Sequence, residues 1–156
     1  MIIKYSFCFL ALAISCYSYA YSAKSCPEII QLKNYNNRVF STESGEWFGV
    51  ANNSALNVRI EKFDSAIFRP SAVIRVLNTN ATVPIGENFK CSYILSDNNL
   101  LDVYYESNQT KYRKLLNIQS WQSTELFGTT YYECKSTPHQ CQFVDIDTPV
   151  VKSSFN

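Results

Sequence analysis

Four cysteines, Cys26, Cys91, Cys134 and Cys141, are the side chains of this 156-residue chain best placed for covalent chemistry. There is no CxxC pair, and His139 is the only histidine, so the set reads as two disulfides rather than a zinc site. Four cysteines allow three connectivities. Cys134 and Cys141 flank a polar loop, 135–140, and a hairpin there would bring them together and leave Cys26 to pair with Cys91. That pattern is favoured over Cys91–Cys134 with Cys26–Cys141.

The remaining reactive side chains do not form a set. A general base at His139 would need a nucleophile and an orienting carboxylate, and no serine sits in a glycine-framed turn. His139 therefore reads as a solvated loop residue. Asp145 and Asp147 alternate as calcium ligands do, but the further ligands and turn glycine of a calcium loop are missing. Glu46 beside Trp47, Glu106, and Glu125 near Trp121 are the carboxylates a glycosidase could draw on, and nothing in the sequence separates them from surface acids. No cofactor motif is found.

Aromatic residues make up 15% of the chain, among them Trp47, Phe48, Trp121 and Phe127 and the adjacent pairs Tyr104-Tyr105 and Tyr131-Tyr132. In a strand, neighbours point to opposite faces, so each such pair sends one ring inward and one outward. The inward rings would fill a core poor in Met and Leu, a role both tryptophans also fit. The outward ones could stack on sugar or clamp a protein. The residues proposed for contact on this reading are Trp47, Tyr104, Trp121 and Tyr131.

The elements that must position these groups are short strands. Residues 89–95 alternate, with Phe89, Cys91, Tyr93 and Leu95 on one face and Lys90, Ser92 and Ile94 on the other. Residues 101–105, 112–118 and 129–134 continue an antiparallel meander, broken at 97–99, at 107–109 and before Gly128. Earlier strands are expected at 28–32, 38–41, 46–50, 58–63, 66–69 and 72–77, with a short helix over 27–33 as the alternative to the first. Pro70 and Pro84 mark edges or loops, because proline cannot donate to a ladder. No helical period runs beyond about two turns, and no repeat is present. The predicted fold is all-β, a small antiparallel sandwich or partly closed barrel of about seven to nine strands.

Residues 1–20 read as a secretory signal peptide: Lys4, an apolar stretch over 5–14, and a small-x-small end at Ser18-Tyr19-Ala20. The apolar stretch is too short for a transmembrane segment. The organisation expected is therefore a leader at 1–20, one β domain over 21–147 and a polar tail at 148–156. Leu12-Ala13-Ile14-Ser15-Cys16 also fits a permissive lipobox, though the stricter form wants Leu where Ala13 stands, so a lipid anchor at Cys16 is the lesser reading. Lys4 is the only charged residue of the leader. Its loss from 14 basic and 13 acidic residues leaves a formally neutral chain, which argues against nucleic acid or an anionic membrane as partner. Lys111, Arg113 and Lys114 cluster, but Asp102 and Glu106 lie nearby. Asn52-Asn53-Ser54, Asn80-Ala81-Thr82 and Asn108-Gln109-Thr110 match glycosylation acceptors, relevant only in a eukaryotic host.

Cys26-Pro27 after the leader, then Gly45-Glu46-Trp47-Phe48-Gly49, Phe63 with Ala66 and Phe68, Cys91-Ser92-Tyr93, Trp121, Phe127-Gly128, Tyr132-Glu133-Cys134 and Cys141-Gln142-Phe143 form an ordered series. In that order they resemble the small secreted bacterial proteins grouped as domain of unknown function 3757, over about residues 26–143. The resemblance implies an exported gamma-proteobacterial protein, effector-like or a secretion-system cargo, and brings no activity, cofactor or catalytic residue. Ser44-Gly45 is also similar to part of the inhibitory loop of periplasmic lysozyme inhibitors. It precedes the Cys91 strand here, however, and their later basic residue has no counterpart.

The function expected is an exported, non-enzymatic module, secreted or periplasmic, that binds a protein or a glycan. The alternatives are an inhibitor of a secreted hydrolase such as lysozyme, acting through residues 44–46, and less favourably a small hydrolase.

Overall fold

A computed structural model describes residues 22–52, 54–75, 82–106 and 112–146. The leader 1–20 with Cys8 and Cys16, the tail, Asp147, Lys111, the Asn108 acceptor and parts of the other two acceptors lie outside the described residues. Among the described residues, thirteen strands form two antiparallel sheets. In chain order they are β1 (Lys24–Ser25), β2 (Lys33–Tyr35), β3 (Val39–Ser41), β4 (Trp47–Val50), β5 (Ile60–Arg69), β6 (Ala72–Arg75) and β7 (Thr82–Gly86). They continue with β8 (Asn88–Leu95), β9 (Leu100–Tyr105), β10 (Tyr112–Leu115), β11 (Gln122–Leu126), β12 (Thr129–Cys134) and β13 (Gln142–Ile146). The larger sheet has the order β11-β12-β5-β8-β9-β4-β3-β2, and the smaller β1-β13-β10-β7-β6. The architecture is a sandwich, not a closed barrel. Several strands are only two to four residues long, which is why their number exceeds the seven to nine that the sequence suggests.

The alternation at β8 sends Phe89, Cys91, Tyr93 and Leu95 into the core. On β9, Leu101, Val103 and Tyr105 follow suit. Phe143 on β13 brings the smaller sheet onto the larger, its ring 4.3 Å from Phe89, 4.9 Å from Tyr105 and 6.1 Å from Trp47. Edge-to-face and tilted contacts of this kind are what rings prefer when they pack together.

Local departures from the predicted elements have physical causes. The expected strands 58–63 and 66–69 are one strand, β5, starting at Ile60, with register breaks between Ile60 and Lys62 and between Phe63 and Ser65 that interrupt the period of two. Where residues 28–32 suggest a strand, Ile29–Gln31 is a 3-10 turn, capped because the Glu28 N–H donates to Gln31 Oε1 at 2.8 Å. Pro84 lies inside β7, yet β10 pairs with β7 only at Arg113↔Gly86 and Lys114↔Ile85. Pro84 is thus in a ladder on one side alone, opposite Val73 of the edge strand β6. The strand from Tyr112 ends at Leu115, and Asn117 in the left-handed region starts a 3-10 turn at Ile118.

The disulfides are Cys26–Cys91 and Cys134–Cys141, all four sulfurs in the core. The first ties the chain ahead of the opening 3-10 turn to central strand β8. The second closes the loop carrying the Pro138–Gln140 turn.

A chain with four glycines in all places asparagine as well as glycine at left-handed positions: Asn36, Asn37, Asn57, Asn98 and Asn117 all have positive φ, as do Gly45 and Gly128. Among the described residues the one other non-glycine at positive φ is Phe127. With Gly128 it forms the two-residue turn between Leu126 and Thr129, at φ 51° and 71° respectively, and its ring is fully exposed. A bulky side chain pays for that backbone and gains no burial in return. Phe127→Asn is expected to stabilise the fold by about 1 kcal/mol and raise Tm by about 3–5 °C. Calorimetry checks this, and a lowered Tm would contradict it.

Candidate contact surface

Strands β4 and β9 are neighbours in the larger sheet, paired Trp47↔Tyr105, Phe48↔Tyr104 and Gly49↔Val103. Alternation turns Trp47 and Tyr105 into the core and leaves Phe48 and Tyr104 side by side on the outer face. Gly49 is required between them, because a Cβ there would run into the backbone carbonyl of Asp102. Around this glycine the outer face carries Phe48 (41% exposed), Val50 (38%), Leu100 (59%) and Tyr104 (50%). These residues, with Asp102, line an open depression of about 500 Å³ to which Asn52 and Asn99 also contribute. Asp102 is held in place: Lys90 Nζ lies 2.5 Å from Oδ2, and buried Ser92 donates its hydroxyl to Oδ1 at 2.6 Å.

The residues proposed from sequence divide between core and surface. Trp47 and Trp121 are 5% and 6% exposed, and the Trp121 indole N–H donates to the Leu116 carbonyl at 3.1 Å. As contact residues both are corrected: the rings fill the core and leave almost no surface for a partner. Tyr104 faces outward in the depression. Tyr131 is half-buried on β12, three strands from β9, and does not line the depression. Phe48, Val50 and Leu100 are not singled out by the sequence as contact residues; the one signal for Phe48 is its place beside Trp47 in an alternating strand.

Of the other chemical candidates, His139 and Glu46 have local partners. His139 lies near Glu28 (3.8 Å) and Thr137 (3.3 Å) in the loop between the paired cysteines. With both tryptophans buried, Glu46 and Glu125 have no exposed tryptophan beside them. Glu46 is instead 2.5 Å from Lys24, and Glu125 lies on edge strand β11. Among the described residues no group of three or more His, Cys, Asp or Glu side chains could hold a metal ion. No helix among them is long and apolar enough to cross a membrane. Residues 42–47 form a tight turn, in which the Gly45 N–H donates to Thr42 O and the Thr42 N–H to Trp47 O. The Ser44 hydroxyl is 3.2 Å from that of Thr42.

One cluster of charge lies at the seam of the sheets. Arg113, 6% exposed, donates to the carbonyls of Glu87 and Tyr105, and its guanidinium stands 4.8 Å from the Tyr105 ring centre. The Tyr105 hydroxyl donates to Asp145 Oδ2 at 2.6 Å, and Lys24 Nζ approaches that oxygen at 4.0 Å. Burial, with the Asp145 bond second, pushes the Tyr105 phenol up to about 12. Burial works to lower Lys24, but its bonds to Glu46 and Tyr105 outweigh it and the net shift is upward. Tyr93, bonded to the Pro27 carbonyl at 2.6 Å, is also pushed up, chiefly by burial. A phenol raised on folding stabilises fully while both states keep the proton, below pH 10 for Tyr105, and that contribution is lost as pH rises towards about 12. The urea midpoint should therefore fall across that alkaline interval, and Tyr105→Phe should fall less steeply than wild type. Equal slopes would contradict the assignment.

A family model described as protein of unknown function (DUF3757) matches residues 20–144. No curated protein and no solved structure matches the chain.

Proposed function

We propose that this chain, which belongs to the family of proteins of unknown function DUF3757, is an exported contact module without enzymatic activity. The observation that carries the reading is the Phe48–Tyr104 pair, two rings side by side on the solvent face of adjacent strands β4 and β9. Large rings left outward at the cost of hydration are the usual anchors of recognition. Two disulfides support a destination outside the reducing cytosol, the periplasm or the medium, reached through the leader at residues 1–20.

Alanine at Tyr104 or Phe48 should abolish partner capture from the native secretome and leave Tm within about 2 °C of wild type, since surface changes move stability little. Undiminished capture by both variants would end the reading. The turn at 42–47 favours a second one, a hydrolase inhibitor, because its hydrogen bonds hold Ser44 and Gly45 in one shape beside exposed Glu43. That reading requires one-to-one binding to a hydrolase that changes at Ser44–Glu46 destroy and Tyr104→Ala does not.

A further inference from the structure

Building on the contact reading, we infer that the depression over Gly49 takes an uncharged glycan, with a pyranose ring laid against Phe48 and Tyr104 and its hydroxyls on Asp102. Three observations select this ligand class from those a ring-lined surface could take.

The first is the position in the sheet. Strand β4 is paired on both sides, with β3 and β9, and β9 with β8 and β4. No open ladder is available, so an extended peptide cannot add as a strand, and recognition must be made by side chains on a flat face. The second is charge. Among the described residues Asp102 is the one acidic or basic side chain lining the depression, and Lys90 lies 2.5 Å from it as a counter-charge, so the described lining offers no unbalanced charge to draw an acidic or basic partner. The third is the acceptor. Each Asp102 oxygen already takes one donor, Lys90 or buried Ser92, and retains a further lone pair, so a carboxylate of fixed position lies beside the rings. A pyranose matches that pairing, with an apolar C–H face for the rings and donor hydroxyls at its rim. The depression, about 500 Å³, is also of small-ligand size.

The test uses purified oxidised protein, with insoluble chitin, cellulose and starch as retention probes. Titration calorimetry against the hexasaccharides of N-acetylglucosamine and glucose supplies the affinity. Binding to at least one probe is expected, reduced about tenfold or more by Tyr104→Ala and by Phe48→Ala. Tyr104→Phe should keep affinity within about threefold, and raising salt to about 0.5 M should leave it unchanged. Retention on none of the probes, binding that survives Tyr104→Ala, or binding lost in salt would each overturn the inference. Capture of a secreted protein that is sensitive to Tyr104→Ala, with no glycan retained, would sink the glycan assignment alone. Insensitivity in both assays would sink the contact reading with it.

Discussion

Phe143→Ala is expected to cost about 3–5 kcal/mol, a large part of the roughly 5–15 kcal/mol available to a domain of this kind. Phe143 is wholly buried, and it is the ring through which β13 of the smaller sheet reaches Phe89, Tyr105 and Trp47 of the larger. Removing it leaves a cavity walled by rigid rings that cannot collapse inward, so both the transfer loss and the cavity penalty are felt. Urea denaturation measures the change. A loss below about 1 kcal/mol, the size expected of a surface change, would mean that the sheets are not held by this cluster.

Replacing Cys26 and Cys91 together by alanine is expected to cost about 4 kcal/mol, against about 2–3 kcal/mol for the Cys134 and Cys141 pair. The sequence separations are 65 and 7, and closing the longer loop removes more freedom from the unfolded chain. The longer bridge also anchors the segment ahead of the Ile29–Gln31 turn to central strand β8, so its loss releases the N-terminal end of the described domain. Paired unfolding curves of the two double variants check the order. A smaller loss at Cys26 and Cys91 would reverse it.

The all-β class, the central strands and the disulfide pattern were legible because they depend on local alternation and short loops. Phe89 to Leu95 alternates without a break, and the structure buries the residues that the period of two selects. Strand β11 escaped notice for the opposite reason. All five of its residues are exposed, so QSTEL carries no apolar period and only its neighbour β12 makes it a strand. At the surface, alternation says that one ring of Trp47-Phe48 faces outward but not which one. That choice belongs to the partner strand and the core cavity, which take the larger indole and place Phe48 beside Tyr104. Asp102 reads in sequence as an ordinary strand-face acid. Its support by Lys90 and Ser92 is a cross-strand property that no local pattern encodes.

The measurement that reaches the central claim most directly is site-specific photo-crosslinking in the native compartment, with a photoactivatable phenylalanine analogue in place of Tyr104 or of Val73. Val73, 57% exposed on edge strand β6 of the other sheet, is the comparator. The account predicts a discrete adduct from position 104 and none from position 73. An adduct from position 73 with none from 104 would contradict it.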